Sequence, residues 1–161
     1  VHFRFVDEEG TAVLYVYELQ LDPKVHRLGL GKHLETLCEA ISKEQDMDGV
    51  MLTCFCHNEP ALRFYQQCGY RVGPHCPTAC AVDLPPLVEE EFGRFALNQV
   101  KEFLIEGEAS YQLLCKLWND EAKQTLAAFA EQSKQHYIAA AMATIRDRLK
   151  VGREYGLRNR R

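Results

Sequence analysis

The chain has 161 residues, of which 47% are apolar and 26% charged, with a formal net charge of −4. This composition excludes disordered, collagenous and low-complexity classes. No apolar run approaches the roughly 18 residues of a membrane span.

The first residue is Val1, not Met. It falls directly into a strand-like pattern, so the chain is expected to be a fragment whose preceding segment is missing. No basic head followed by an apolar run opens it, so a secretory leader is not expected. His2 to Val6 reads as a short strand, Asp7-Glu8-Glu9-Gly10 as a turn, and Val13 to Leu21 as a long β-prone run ended by Asp22-Pro23. Strand alternation puts Tyr15 and Tyr17 on one face, and Leu14, Val16 and Glu18 on the other. After the turn containing Arg27-Leu28-Gly29-Leu30-Gly31-Lys32, residues Leu30, Leu34, Leu37, Cys38 and Ile41 recur at helical spacing. Val50 to Phe55 is a continuous apolar run, as in a strand buried on both faces. Asn58 is a candidate cap for a second helix with Pro60 in its first turn and Gly69 at its end. Tyr70 to Val72 begins another strand, and Ala79 to Leu84 reads as one more.

The expected order is therefore β-β-α-β-α-β-(β), an α/β sandwich around a mixed sheet. Pro85-Pro86 reads as the boundary between residues 1–84 and a second segment, 85–161. That segment is read as helical throughout, with Phe92 to Leu104, Tyr111 to Trp118 and Thr125 to Leu149 as amphipathic stretches. Packing or binding of a protein partner is its expected role. From Arg146 to Arg161 there are seven basic and two acidic residues. Such an end is ordinarily a solvated terminus, and direct nucleic-acid binding is not expected from it. The seven cysteines are irregularly spaced. They read as reduced thiols, and their spacings match no zinc ligand pattern, so no metal is expected.

The chemistry-bearing signal lies between Tyr15 and Tyr70. A strand ends in a Gly-x-Gly turn and a helix starts at once. Glycines permit the tight turn and close approach of a ligand. The unpaired first amides of the helix, together with its dipole, make a site for phosphate. The pattern is neither G-x-G-x-x-G with a distal acid nor a P-loop.

Arg27-Leu28-Gly29-Leu30-Gly31, followed by the run from Asn58 through Phe64-Tyr65 to Gly69-Tyr70, resembles the pyrophosphate loop and second coenzyme motif of the GNAT acetyltransferase superfamily. Within it, the stretches His2-Phe3-Arg4-Phe5, Leu14 to Leu21, Gly29 to Lys32 and Val50 to Asn58 are similar to the N-alpha-acetyltransferase D family. That family acetylates the N-terminal serine of histones H4 and H2A. The resemblance implies a partial GNAT fold for residues 1–84 that lacks the first strands and helices. It implies acetyl-CoA as co-substrate, histone tails as acceptor partners, and residence in cytoplasm and nucleus.

The same resemblance assigns roles. Glu18 becomes the general base and Tyr65 the acid that protonates the leaving sulfur. Tyr15, Tyr17 and Thr53 contact the acceptor. Main chain at Leu19 and Leu21, with Asn58, holds the pantetheine arm, and Arg27, Leu28, Gly29, Leu30, Gly31 and Lys32 hold the pyrophosphate. Two positions depart from the family. Val6 stands where an acid is expected, with Asp7 one step on, and Val82 replaces a tyrosine of the terminal strand. The other readings are acetylation of another protein N-terminus, a lysine or a small amine, and an inactive coenzyme-fold module used for partner binding.

Overall fold

Two β-prone runs separated by Glu9-Gly10 open the computed structural model, which describes residues 1–76, 79, 84–97 and 111–158. β1 (His2–Glu8) pairs antiparallel with β2 (Thr11–Glu18). The turn takes positive φ at both Glu9 (51°) and Gly10 (79°). That backbone matches the twist of a two-residue hairpin. The Asp7 carboxylate accepts the Gly10 amide at 2.9 Å. β1 thus runs two residues further than the expected His2 to Val6, and β2 stops at Glu18 instead of reaching Leu21.

α1 (Leu30–Glu44) leads to β3 (Gly49–Phe55), α2 (Glu59–Gln67) and the short β4 (Arg71–Val72). β3 lies parallel to β2. Asn58 caps α2 as expected, its side-chain oxygen accepting the Ala61 amide at 3.3 Å. α3 (Leu84–Phe92) begins at the place read as a boundary. Pro85 and Pro86 sit in its first turn, where a missing N–H costs nothing. Cys80 to Asp83, including Val82, lie outside the described residues.

The second segment is not wholly helical. Tyr111–Leu117 forms β5, which pairs antiparallel with β3 along its whole length and with β4 on its other side. The sheet order is β1-β2-β3-β5-β4. The helical reading of Tyr111 to Trp118 fails because β5 is covered on both faces and so carries no polar/apolar alternation. A strand from beyond residue 84 therefore stands inside the sheet of residues 1–84. α4 (Asp120–Arg158) follows β5.

Two cores flank the sheet. One gathers Leu14, Val16, Val50, Leu52, Cys54 and Leu114 against Cys38 of α1 and Tyr65 of α2, with Tyr70 behind them. The other places Val13 and Met51 against Leu126 of α4. Further along α4, Ala141 and Ile145 pack on Leu84 and Val88 of α3. Among the described residues, Ala96, Leu126, Ala141 and Ile145 of the second segment are buried within the chain. No helix among the described residues is long and apolar enough to cross a membrane.

Candidate functional site

The site originates where β2 and β3 part. Their ladder ends at Val16–Leu52, although β2 continues to Glu18 and β3 to Phe55. Beyond that point a cleft of about 630 Å³ opens, within the usual range for a small-molecule site. Leu19 and Leu21 form one wall, Arg27, Gly29, Gly31 and Lys32 the corner, and Asn58, Phe64, Tyr65 and Cys68 the opposite wall.

The corner is built by backbone geometry. Arg27 (φ 63°) and Gly29 (φ 83°) are both left-handed. Gly29 caps α1 without a side chain on the first amides, so those N–H groups are left for an anion. His26 closes the loop, its Nε2 lying 3.0 Å from the Leu21 carbonyl oxygen. A Cβ on Gly31 would meet Phe64 at 3.3 Å and Leu21 at 3.5 Å. That position therefore keeps the floor of the cleft open.

Of the residues assigned to the coenzyme, Leu19, Leu21, Arg27, Gly29, Gly31, Lys32 and Asn58 line the cleft. Leu28 and Leu30 do not, and their side chains are exposed. Only main chain at those two positions can serve the corner. The Leu21 carbonyl, expected to meet the pantetheine arm, already faces His26. The residues unforeseen as cleft walls are His26 in the corner and, along α2 and its C-cap, Pro60, Ala61, Arg63, Phe64, Gln67 and Cys68. The helical spacing of the second motif was the signal for the α2 residues.

Tyr65 lies in the wall but is 8% exposed. Burial first, then the Glu35 carboxylate, pushes its phenol well above the ordinary tyrosine range. Cys68 is also raised, by burial and then by Glu35. Both groups therefore remain protonated near neutral pH, and Cys68 is a poor nucleophile there.

Tyr15, Tyr17 and Thr53 occupy the other face of the sheet. The Tyr15 and Tyr17 rings are 5.1 Å apart. Burial raises the Tyr15 phenol, and a hydrogen bond with the Thr53 side chain offsets part of that. Tyr17 is exposed, with the Arg4 guanidinium 5.6 Å from its ring centre and His2 at 5.7 Å. Glu18 ends β2 at the parting of the strands and is exposed. Among the described residues its carboxylate makes no hydrogen bond or ion pair.

The position directly after Phe5 carries no acid, and the carboxylate of β1 whose charge reaches Tyr15 is Glu8. Val6 packs into the second core, and Asp7 is engaged in the hairpin turn. No group of three or more potential metal ligands gathers among the described residues, and the six cysteines there are not joined in disulfides. Residues 1–70 match the family model of the acetyltransferase (GNAT) family.

Proposed function

We propose that this chain, whose residues 1–70 carry a GNAT acetyltransferase domain, transfers acetyl from acetyl-CoA to the α-amine of a protein N-terminus. The first acceptor to consider is the N-terminal serine of histones H4 and H2A, in cytoplasm or nucleus. Acetyl transfer from acetyl-CoA is the activity of the family. The observation that carries the finer reading is the parting of β2 from β3. The cleft lies beyond it on one face of the sheet and Tyr15, Tyr17 and Thr53 on the other, and Glu18 ends β2 just past the last paired residue.

In this reading the corner amides of α1, with Arg27 and Lys32, bind the diphosphate. Leu19 and Asn58 guide the arm toward the parting. The incoming α-amine has an ordinary pKa of about 7.7–8.0 and is largely protonated near pH 7. Glu18 accepts that proton, directly or through water, and exposes the nitrogen lone pair. The C–N bond forms and the C–S bond breaks. The Tyr65 phenol gives its proton to the departing sulfur, and the second proton, shed by the newly acylated nitrogen, passes through water to restore the phenol. A protonated Cys68 fits direct transfer between the two substrates, with no acyl-cysteine stage.

The test is an acetyl-CoA assay on peptides beginning Ser-Gly-Arg-Gly, with the acetylated position read by mass spectrometry. Acetate is expected on the α-amine, with Glu18→Gln slowed by about a hundredfold or more, the usual worth of a general base. Acetylation confined to lysine side chains would overturn the assignment.

A further inference from the structure

The wall of the cleft rests on a buried acid that the mechanism above does not use. Of the repeat Leu30, Leu34, Leu37, Cys38, Ile41, Cys38 is buried and Ile41 packs on the first core. The helix also buries Glu35 and Ser42, and leaves Leu30 38% and Leu37 43% exposed. Glu35 is 1% exposed. Its Oε2 accepts the Tyr70 hydroxyl at 2.7 Å, while its Oε1 has no hydrogen-bond partner among the described residues.

Turning two leucines outward and an acid inward is costly on both counts. The nearby cation offsets only part of it, because Lys116 of β5 is held by Glu39 at 2.7 Å and by the Cys68 carbonyl at 2.8 Å. Burial accordingly pushes the Glu35 carboxyl above the usual range. Tyr70 is fully buried, and its ring meets Tyr65 edge to face at 5.6 Å and 71°. Tyr65 in turn meets Phe64 at 5.1 Å and 61°. The chain of contact runs from Glu35 through Tyr70 to the phenol in the cleft wall.

We propose that Glu35 is a positioning residue of the cleft: by accepting the Tyr70 hydroxyl it locks Tyr70, and through that ring it fixes Tyr65 where the sulfur departs. The inference rests on the acetyl-transfer reading for the last clause only. Its physical content is that an edge-to-face pair without a polar anchor can slide. A displacement of about 1 Å at a proton donor costs up to a hundredfold in rate.

The test uses the 161-residue chain and pairs turnover with a signal that does not need turnover. In the double variant Glu35→Leu/Tyr70→Phe no buried polar group is left unpaired, so the melting temperature is expected to hold or rise. The KM for acetyl-CoA stays unchanged, and kcat falls about tenfold or more. Glu35→Gln keeps an acceptor for Tyr70 and retains kcat within about twofold. In a Tyr65→Phe background the double variant adds no further loss, because the coupling has lost its endpoint.

With 3-fluorotyrosine incorporated at position 65, the fluorine resonance is expected to be single in the parent and in Glu35→Gln, and shifted or broadened in the double variant. If the chain proves not to transfer acetyl, this signal still decides the positioning claim, while the acetyl-transfer reading falls separately. An unchanged fluorine line in the double variant overturns the proposal. So does a kcat loss that persists undiminished in the Tyr65→Phe background.

Discussion

At the residue scale, charge and space at two positions lead to separate expectations. Gly31 has no left-handed φ, so its role is room. The Cβ contacts with Phe64 and Leu21 mean that Gly31→Ala presses on movable side chains, whereas Gly31→Val fills the floor. Calorimetry is expected to show acetyl-CoA binding weakened by about tenfold or more in Gly31→Val, with little change in melting temperature. His75 is a different kind of residue. Its side chain is 7% exposed, with Glu8 at 3.9 Å and the Phe129 ring at 6.2 Å. Neither ring nitrogen has a hydrogen-bond partner among the described residues. Burial lowers its pKa from the ordinary 6.5. The unfolded chain therefore binds the proton first as pH falls, and stability is lost below 6.5 and downward through the folded value. Glu8 and Glu35, both raised by burial, act in the opposite sense nearer the carboxylate range. A His75→Phe variant isolates the first effect. Between about pH 7.5 and pH 5.5 its melting temperature should fall less than that of the parent.

At the scale of elements, the close approach of β5 to β3 is the constraint that the sequence concealed. A Cβ on Gly49 would lie 2.6 Å from the Lys116 carbonyl oxygen, and would also strike the Leu117 side chain. Backbone cannot yield as a side chain can. Gly49→Ala is therefore expected to lower the unfolding free energy by about 1–3 kcal/mol or more in urea titration, the cost of overpacking. The hairpin, α1, β3 and α2 were all legible, because each has local punctuation: Gly10, the Gly-x-Gly corner, Pro60, Gly69. β5 was not, because Leu113, Leu114, Cys115 and Leu117 satisfy helical and extended spacing alike, and its partners lie far off in sequence. The inward place of Glu35 on α1 was hidden for the same reason. Only the sheet decides which side of a mixed helix turns inward, and Tyr70 supplies a hydroxyl for Glu35 there. The Gly-x-Gly corner was legible as a turn into α1, since glycine at a turn reports a backbone requirement. The α2 side of the cleft was legible only as a motif.

At the scale of the whole molecule, the chain beyond residue 84 completes the fold of the part before it. β5 supplies the inner neighbour of both β3 and β4. From it, Lys116 reaches Glu39 of α1 and the end of α2, so the helices that wall the cleft are fastened to this strand. The Trp118 indole donates to the Met47 carbonyl at 2.8 Å, and Asn119 donates to the Asp48 carboxylate at 2.6 Å. Asp48 also accepts the Ala12 amide at 3.0 Å, which ties β2 to the β3 turn. α4 then covers Val13 and Met51 with Leu126. A fragment of residues 1–84 would lose a seven-residue ladder on β3, leave β4 unpaired and uncover one face of the sheet. Open strand edges and exposed apolar faces of that extent favour association over folding. The fragment, although it contains every residue of the cleft, is expected to show no cooperative urea transition and no acetyl-CoA binding by calorimetry. A sharp transition with retained binding in that fragment would instead make the C-terminal segment an appendage.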